Sequence, residues 1–170
     1  MELWDVYDRS GRKTGAVKEK ESEYLPGEYH LAMEAWVFND RREILIQQRS
    51  WNRPILPGMW GLTTGRMVVG EDSRQGCVRE LKEELGLSVS PEELYFLRRI
   101  IRDDPLIWDI YFLRRNVPAE SLTLQREEVA QARWVSFRRF CELLEEKRIF
   151  RYPEIDRVLE SAKQWLDREL

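Results

Sequence analysis

Hydrophobic and polar positions first alternate from Leu3 to Tyr7, and Asp8, Arg9, Ser10 and Gly11 supply a turn. Lys13 to Lys20 can pair back as the second strand of a hairpin, with almost all of its side chains in water. Pro26 and Gly27 break the pattern before a stronger one, His30 to Asn39. In that stretch, HLAMEAWVFN, Leu31, Met33 and Ala35 share one face and Trp36 and Phe38 fill the other. Asp40, Arg41 and Arg42 turn the chain into Glu43 to Arg49, EILIQQR, a partner strand with Ile44 and Ile46 on one side. A loop at Trp51 to Pro54 and a break at Pro57 and Gly58 lead to a short strand, Trp60 to Thr64.

The period then changes. Cys77, Val78, Leu81 and Leu85 fall within one sector at 3.6 residues per turn, Asp72 or Ser73 can cap the start, and Gly86 suits a left-handed C-terminal position. The spacing predicts a helix from Ser73 to Leu85. Leu94 to Ile101 and Leu106 to Leu113 follow as an antiparallel strand pair, separated by Arg102, Asp103, Asp104 and Pro105. A polar loop, Arg114 to Ala130, precedes a strand at Ala132 to Val135 that presents Trp134. Ser136 can cap a helix from Phe137 to Lys147 with Phe140, Leu143 and Leu144 as its stripe. Pro153 opens a last helix that buries Ile155, Val158, Leu159 and Trp165. The expected organisation is one layered α/β domain over 1–170, with an N-terminal hairpin in 1–27, C-terminal helices in 137–168, and neither repeat nor linker.

Composition narrows the class. At 170 residues, 42% hydrophobic, with seven Trp and six Phe, the chain can bury a full-sized core and is not disordered. Acidic and basic residues nearly cancel at a net charge of −3, so no basic excess supports a grip on nucleic acid. MELWDVYD lacks the basic start and apolar run of a signal peptide, and no apolar stretch is long enough for a membrane span. Cys77 and Cys141 have no metal-ligand spacing and fit a reducing compartment. A cytoplasmic protein, monomer or homodimer, is expected.

The helix carries the chemistry. Glu80, Glu83 and Glu84 stand three and four residues apart, where like charges repel by roughly 4 kcal/mol at 4 Å and an effective dielectric of 20. Arg79 can neutralise part of the cluster, but one guanidinium cannot serve three carboxylates. By themselves these residues fit either a solvated acidic face or a cation site. Oxygen ligands without His or Cys would suit Mg²⁺ or Mn²⁺. Gly76, one turn below Glu80, leaves room for a ligand on the same face.

The surrounding segment, GRMVVGEDSRQGCVRELKEELGL from Gly65 to Leu87, places Gly65, Glu71, Arg79, Glu80, Leu81, Glu83, Glu84, Gly86 and Leu87 at fixed intervals. This resembles the Nudix box at every fixed position. The resemblance implies an α/β/α sandwich around a mixed β-sheet. It also implies a metal-dependent hydrolase acting on a small molecule: a nucleoside diphosphate linked to another group, or a related organic diphosphate. It implies Glu80, Glu83 and Glu84 as metal ligands with a backbone carbonyl at Thr64 or Gly65, Arg79 as the group that orients the glutamates, and Glu71 as a brace between loop and helix. The base is then Glu80 or Glu83 on the helix, or an acid of the later loop. Glu127 and Glu128 read as solvated loop acids, but Glu128 followed by Val129, upstream of Arg133 and Trp134, resembles the family's pattern. Two departures stand out: Thr64 replaces the first glycine of the family's usual pair, and Gly76 replaces a small alanine.

Substrate selection must lie outside the box. Arg49 can reach a phosphate, and Trp51 and Arg53 can stack on or pair with a leaving group. The plainer alternative is that these residues serve local pairing and cover, and that Trp36, Trp60, Trp108 and Trp134 are core. The run YHLAMEAWVFNDRREILIQQR, followed by Pro57 to Trp60, also looks like isopentenyl diphosphate isomerases, in which a histidine at the place of His30 binds metal. That chemistry needs a reactive Cys near a second His, and this chain has Thr63 and Thr64 after Trp60 and Gly61. His30 is therefore expected to be structural, and the hydrolase stands ahead of the isomerase and of a non-catalytic nucleotide-binding module.

Overall fold

The computed structural model describes residues 1–170. Strands β1 (Leu3–Tyr7) and β2 (Lys13–Glu19) form an antiparallel ribbon. The ribbon docks through paired backbone bonds between Tyr7 and Tyr29, 2.8 Å each way, and through Val69 N–H to the Leu3 carbonyl. Strand β3 (His30–Phe38) is buried along its whole length, as a strand covered on both faces must be. Then come β4 (Glu43–Arg49), β5 (Trp60–Gly61), β6 (Thr63–Arg66), helix α1 (Ser73–Leu85), β7 (Tyr95–Arg102), β8 (Leu106–Arg114), β9 (Val129–Ser136), α2 (Phe137–Glu145) and α3 (Ile155–Glu169).

The sheet is mixed and forked. One edge of β3 runs parallel to β8 from His30 opposite Leu106 to Phe38 opposite Arg114, and β8 pairs antiparallel with β7. The other edge of β3 is shared. β4 meets it only at Phe38 and Ile44, then diverges to pair with β9 and β5, while β6 takes the vacated positions opposite Ala32 to Ala35. Gln47 of β4 spans the fork: its side-chain oxygen accepts from Thr63 of β6 at 3.0 Å.

The alternation of β3 builds a core on each face. Leu31, Met33, Ala35 and Val37 pack toward Cys77, Leu81 and Leu85 of α1. Trp36 and Phe38 pack with Ile44, Ile46 and Phe112 under Phe140, Leu143, Val158 and Trp165 of α2 and α3. Each fully buried aliphatic side chain contributes about 2 kcal/mol. The result is an α/β/α sandwich, as expected.

Several boundaries differ from the sequence reading; some strands differ by a single residue, and α3 begins at Ile155, not at Pro153. β9 starts at Val129, inside the expected loop, because Val129 is fully buried and pairs with Arg49. The single strand expected at Trp60 to Thr64 is two, because the chain changes partner from β4 to β3 around Leu62. α2 stops at Glu145, and Lys147 turns the chain with φ +58°.

Candidate functional site

The helix is fixed at both ends by its own sequence. The Asp72 side chain accepts from Gln75 N–H at 2.7 Å, the Gln75 side chain accepts from Asp72 N–H at 2.9 Å, and Gly86 closes the C-terminus at φ +66°. Asp72, not Ser73, is the cap; the Ser73 hydroxyl is buried against Asp109 and Tyr111. Gly76 does not make room for a ligand. A Cβ there would stand 2.0 Å from Met67 Sδ, so this glycine lets the box loop lie against the helix.

Arg79 organises the loop and the acidic face together. It donates to both oxygens of Glu71 at 2.8 and 2.9 Å, to Glu80 at 3.0 Å, to Glu83 at 3.2 Å and to the Arg66 carbonyl at 3.1 Å. Glu71 also accepts from Val68 N–H at 3.1 Å. The bonds to Glu71 above all, with the Glu80 charge, hold the guanidinium in its charged form against the opposing effect of burial.

Glu84 is 8% exposed and accepts from Gln47 Nε2 at 2.8 Å. Glu80 stands close enough for its charge to act on it. Burial pushes both carboxyls above the usual range; Glu80 pushes Glu84 further, while Arg79 opposes the rise at Glu80. The structure brings Glu80 and Glu84 together and leaves Glu83 half-exposed on Arg79, so the three carboxylates do not converge on one point. Beside the pair runs the backbone of Gly65, where a Cβ would lie 2.4 Å from Glu80 Oε1. Two adjacent carboxyls, one buried and one partly buried, that hold their charge poorly and offer only oxygen beside a bare stretch of backbone fit a hard divalent cation such as Mg²⁺ or Mn²⁺. Glu80 and Glu84 could hold it, with the backbone of Gly65 alongside and Glu83 at the rim.

A cleft of about 680 Å³ opens over this pair and reaches from Arg49, Arg53 and Leu56 to Trp4, Lys20 and Arg66. Arg49 has no acidic partner and donates to the Ile55 carbonyl at 2.9 Å. Arg53 pairs with Glu128 at 2.9 Å, tying the loop after β4 to the loop before β9. Glu128 lines the cleft close enough to Glu84 to raise its pKa; Glu127 is exposed and makes no such contact. Trp51 is 70% exposed and covers Gly58 outside the cleft lining. A largely apolar chamber of about 160 Å³ adjoins the cleft, walled by Trp60, Leu62, Trp108, Phe140, Ile149 and Phe150, with Glu34, Gln47, Arg49, Glu84 and Glu128 also on its lining. Trp36, Trp60, Trp108 and Trp134 are core or pack against it, as expected; Trp108 also lines both the chamber and the cleft.

Several residues that shape the cleft escape sequence reasoning. Gln47, the partner of Glu84, shows itself only as a polar residue in an apolar strand. Glu34 at the chamber is the single acid of HLAMEAWVFN. Its carboxyl is buried, accepts from Tyr152 at 2.6 Å and Trp36 at 2.7 Å, and is pushed up to about 7 by burial against the effect of those bonds. His30 is buried between Trp4 and Tyr24; burial, with Arg66 adding to it, lowers its pKa to about 4, so the ring is neutral. Arg66 and Trp4 carried no signal at all.

The model of the NUDIX domain matches residues 28–158. An uncharacterised Nudix hydrolase of Listeria monocytogenes is 34% identical over 139 residues, covering 80% of each chain. An isopentenyl-diphosphate Delta-isomerase of Pectobacterium atrosepticum is 33% identical over 104 residues, covering 60% of this chain and 58% of its own length. Among solved structures, DR0079 from Deinococcus radiodurans superposes with a TM-score of 0.76 at 14% identity, over 95% of this chain and 99% of that one. No helix is long and apolar enough to cross a membrane.

Proposed function

The chain belongs to the Nudix family, and from that premise we propose that it is a divalent-cation-dependent hydrolase of a P–O–P bond in a small cytoplasmic diphosphate compound. The substrate class is a nucleoside diphosphate linked to another group, or a related organic diphosphate. One observation carries the reading: Glu84 is buried beside the partly buried Glu80, which lies against the backbone of Gly65, an arrangement that costs stability without a cation. When bound, Mg²⁺ or Mn²⁺ would offset the diphosphate charge and acidify a water molecule.

The chain's own residues do the rest by positioning and by charge. Gln47 and Arg79 fix the directions of Glu84 and Glu80. Glu83, on the water-exposed rim and held only by Arg79, is placed to take the proton from the attacking water. Glu128 is paired with Arg53 and so clamps the two loops that flank the cleft. Arg49 faces the cleft uncompensated and binds a phosphate oxygen, and Arg53 borders it on the same side. The apolar chamber takes the uncharged organic part of the substrate.

The kinship to an isomerase supports a second reading, on which the chain isomerises isopentenyl diphosphate. The structure offers that chemistry no thiol. Cys77 is fully buried under α1 and its thiol is pushed up to about 12 by burial, while Cys141 is exposed on α2 and lines neither cavity.

The test is product analysis by mass spectrometry with Mg²⁺ and a panel of nucleoside triphosphates, dinucleotides, nucleotide sugars and isopentenyl diphosphate. Cleavage of a P–O–P bond, reduced by on the order of 10² or more in Glu84→Gln, is expected. Dimethylallyl diphosphate formed without hydrolysis would establish the second reading instead.

A further inference from the structure

Arg66 ends β6 and follows Gly65 directly. Its carbonyl accepts from Arg79, which pins its backbone beside the box helix. Its side chain is held differently. Nη1 lies 3.4 Å from His30 Nδ1 and Cζ lies 5.9 Å from the Trp4 ring centroid, within cation–π range, and no carboxylate pairs with the guanidinium. His30 is stacked on Trp4 at 5.2 Å and 10°, with Tyr24 at 5.1 Å on the same ring. The acids nearby are engaged elsewhere: Asp104 with Arg102 at 3.4 Å, and Glu2 with Trp4 Nε1 at 2.7 Å. Aromatic rings and a neutral imidazole therefore aim this guanidinium without offsetting its charge, and it stands open to the water of the cleft.

Trp4 belongs to the N-terminal ribbon, outside the residues 28–158 that match the family. The ribbon docks on the box loop through Val69 and Gly70, whose N–H groups bond to the Leu3 carbonyl and the Asp5 carboxylate at 2.8 Å each. It thus adds a wall to the cleft that the common domain does not supply. Gly65, Arg66, Glu80 and Glu84 line the same cleft, so a group bound by Arg66 shares that space with whatever is held at Gly65 and Glu80.

Resting on the hydrolase reading above, we propose that Arg66 determines specificity by binding a third phosphoryl group, contiguous with the diphosphate held over Glu80 and Glu84, and that Trp4 and His30 are its positioning residues. The planar fork of arginine matches phosphate oxygens in pairs. The favoured substrates then carry three or more linked phosphates, with the organic group toward the apolar chamber, and a compound with a diphosphate alone leaves Arg66 unused.

Calorimetric titration of inorganic tripolyphosphate and of pyrophosphate, at one saturating Mg²⁺ concentration, reads this directly in the full chain and in Arg66→Gln and Arg66→Lys. Comparing the ratio of the two affinities across proteins cancels the effect of Mg²⁺ on the free probes. Wild type is expected to prefer tripolyphosphate by about tenfold, the worth of one charge-assisted bond. Arg66→Gln loses the preference and Arg66→Lys keeps part of it. An unchanged ratio in Arg66→Gln overturns the proposal, as does a wild type that fails to discriminate or binds neither probe. Glu84-dependent cleavage without the preference sinks this subsite and leaves the hydrolase standing; the preference without cleavage does the reverse.

Discussion

On the helix bank of the cleft Arg79 touches three carboxylates; on the hairpin bank Arg66 touches none, although the two arginines are joined by a hydrogen bond through the Arg66 carbonyl. Arg79 is satisfied internally, and its bonds hold a loop and a helix in one geometry. Arg66, like Arg49 across the cleft, is aimed but not neutralised. Between them lies the opposite imbalance, Glu84, buried beside Glu80 and bonded to no cationic side chain. The contrast separates charges that build a site from charges that wait for a ligand, and the criterion is whether a partner of opposite sign is already present.

The strongest way to break the helix bank is Gly65→Ala. The added methyl would sit 2.4 Å from Glu80 Oε1 and must displace that carboxylate, so kcat should fall by on the order of 10² while circular dichroism shows a folded chain. Normal turnover in this variant would mean that Glu80 need not lie against the backbone.

Glu34 sharpens the comparison because it is a buried carboxyl served by neither an arginine nor an acidic neighbour. Its pKa is raised from 4.5 to about 7, so the unfolded chain ionises first as pH rises. Its contribution is fully present below pH 4.5 and is lost between 4.5 and about 7, a slope worth on the order of 3 kcal/mol in all. Urea unfolding across this range should show that slope in wild type and a flatter curve in Glu34→Gln. Parallel curves would place the ionisation of Glu34 in its ordinary range.

The smallest effect is expected from the cation itself. In protein stripped with EDTA, Mg²⁺ at ten times its Kd should add about 1.4 kcal/mol, which raises Tm by roughly 3–6 °C. The shift should shrink in Glu84→Gln and persist in Arg66→Gln, dividing the two banks by calorimetry. An equal shift in both variants would erase the distinction.

What was legible in the sequence follows from locality. α1 was bounded correctly because Asp72, Gln75 and Gly86 signal its ends within a few residues of themselves. The α/β/α layering was legible because β3 alternates cleanly between two cores. Gly76 was misread because helical phase placed it under Glu80, whereas the atom that needs its space belongs to Met67, in the loop before the helix. β9 was begun late because Val129 is a strand residue only by virtue of Arg49, far away in sequence. Arg66 was missed for the same reason. In the chain it is one arginine at a variable place in a motif; its meaning comes from Trp4 and His30, which only the docked ribbon brings to it.

The pairing of β3 with β8 also sets an order for the chain's own assembly. The central strand has its long parallel neighbour only once residues 106–114 exist, so a chain shortened before that point would present β3 with one raw edge, open to adhesion to another copy. Parallel pairing across so long a loop is slow to close. Gly65 lies on a strand whose partner, β3, is already made when the box emerges, so that contact does not wait for the second half. What the second half brings is the long neighbour that covers the open edge of β3.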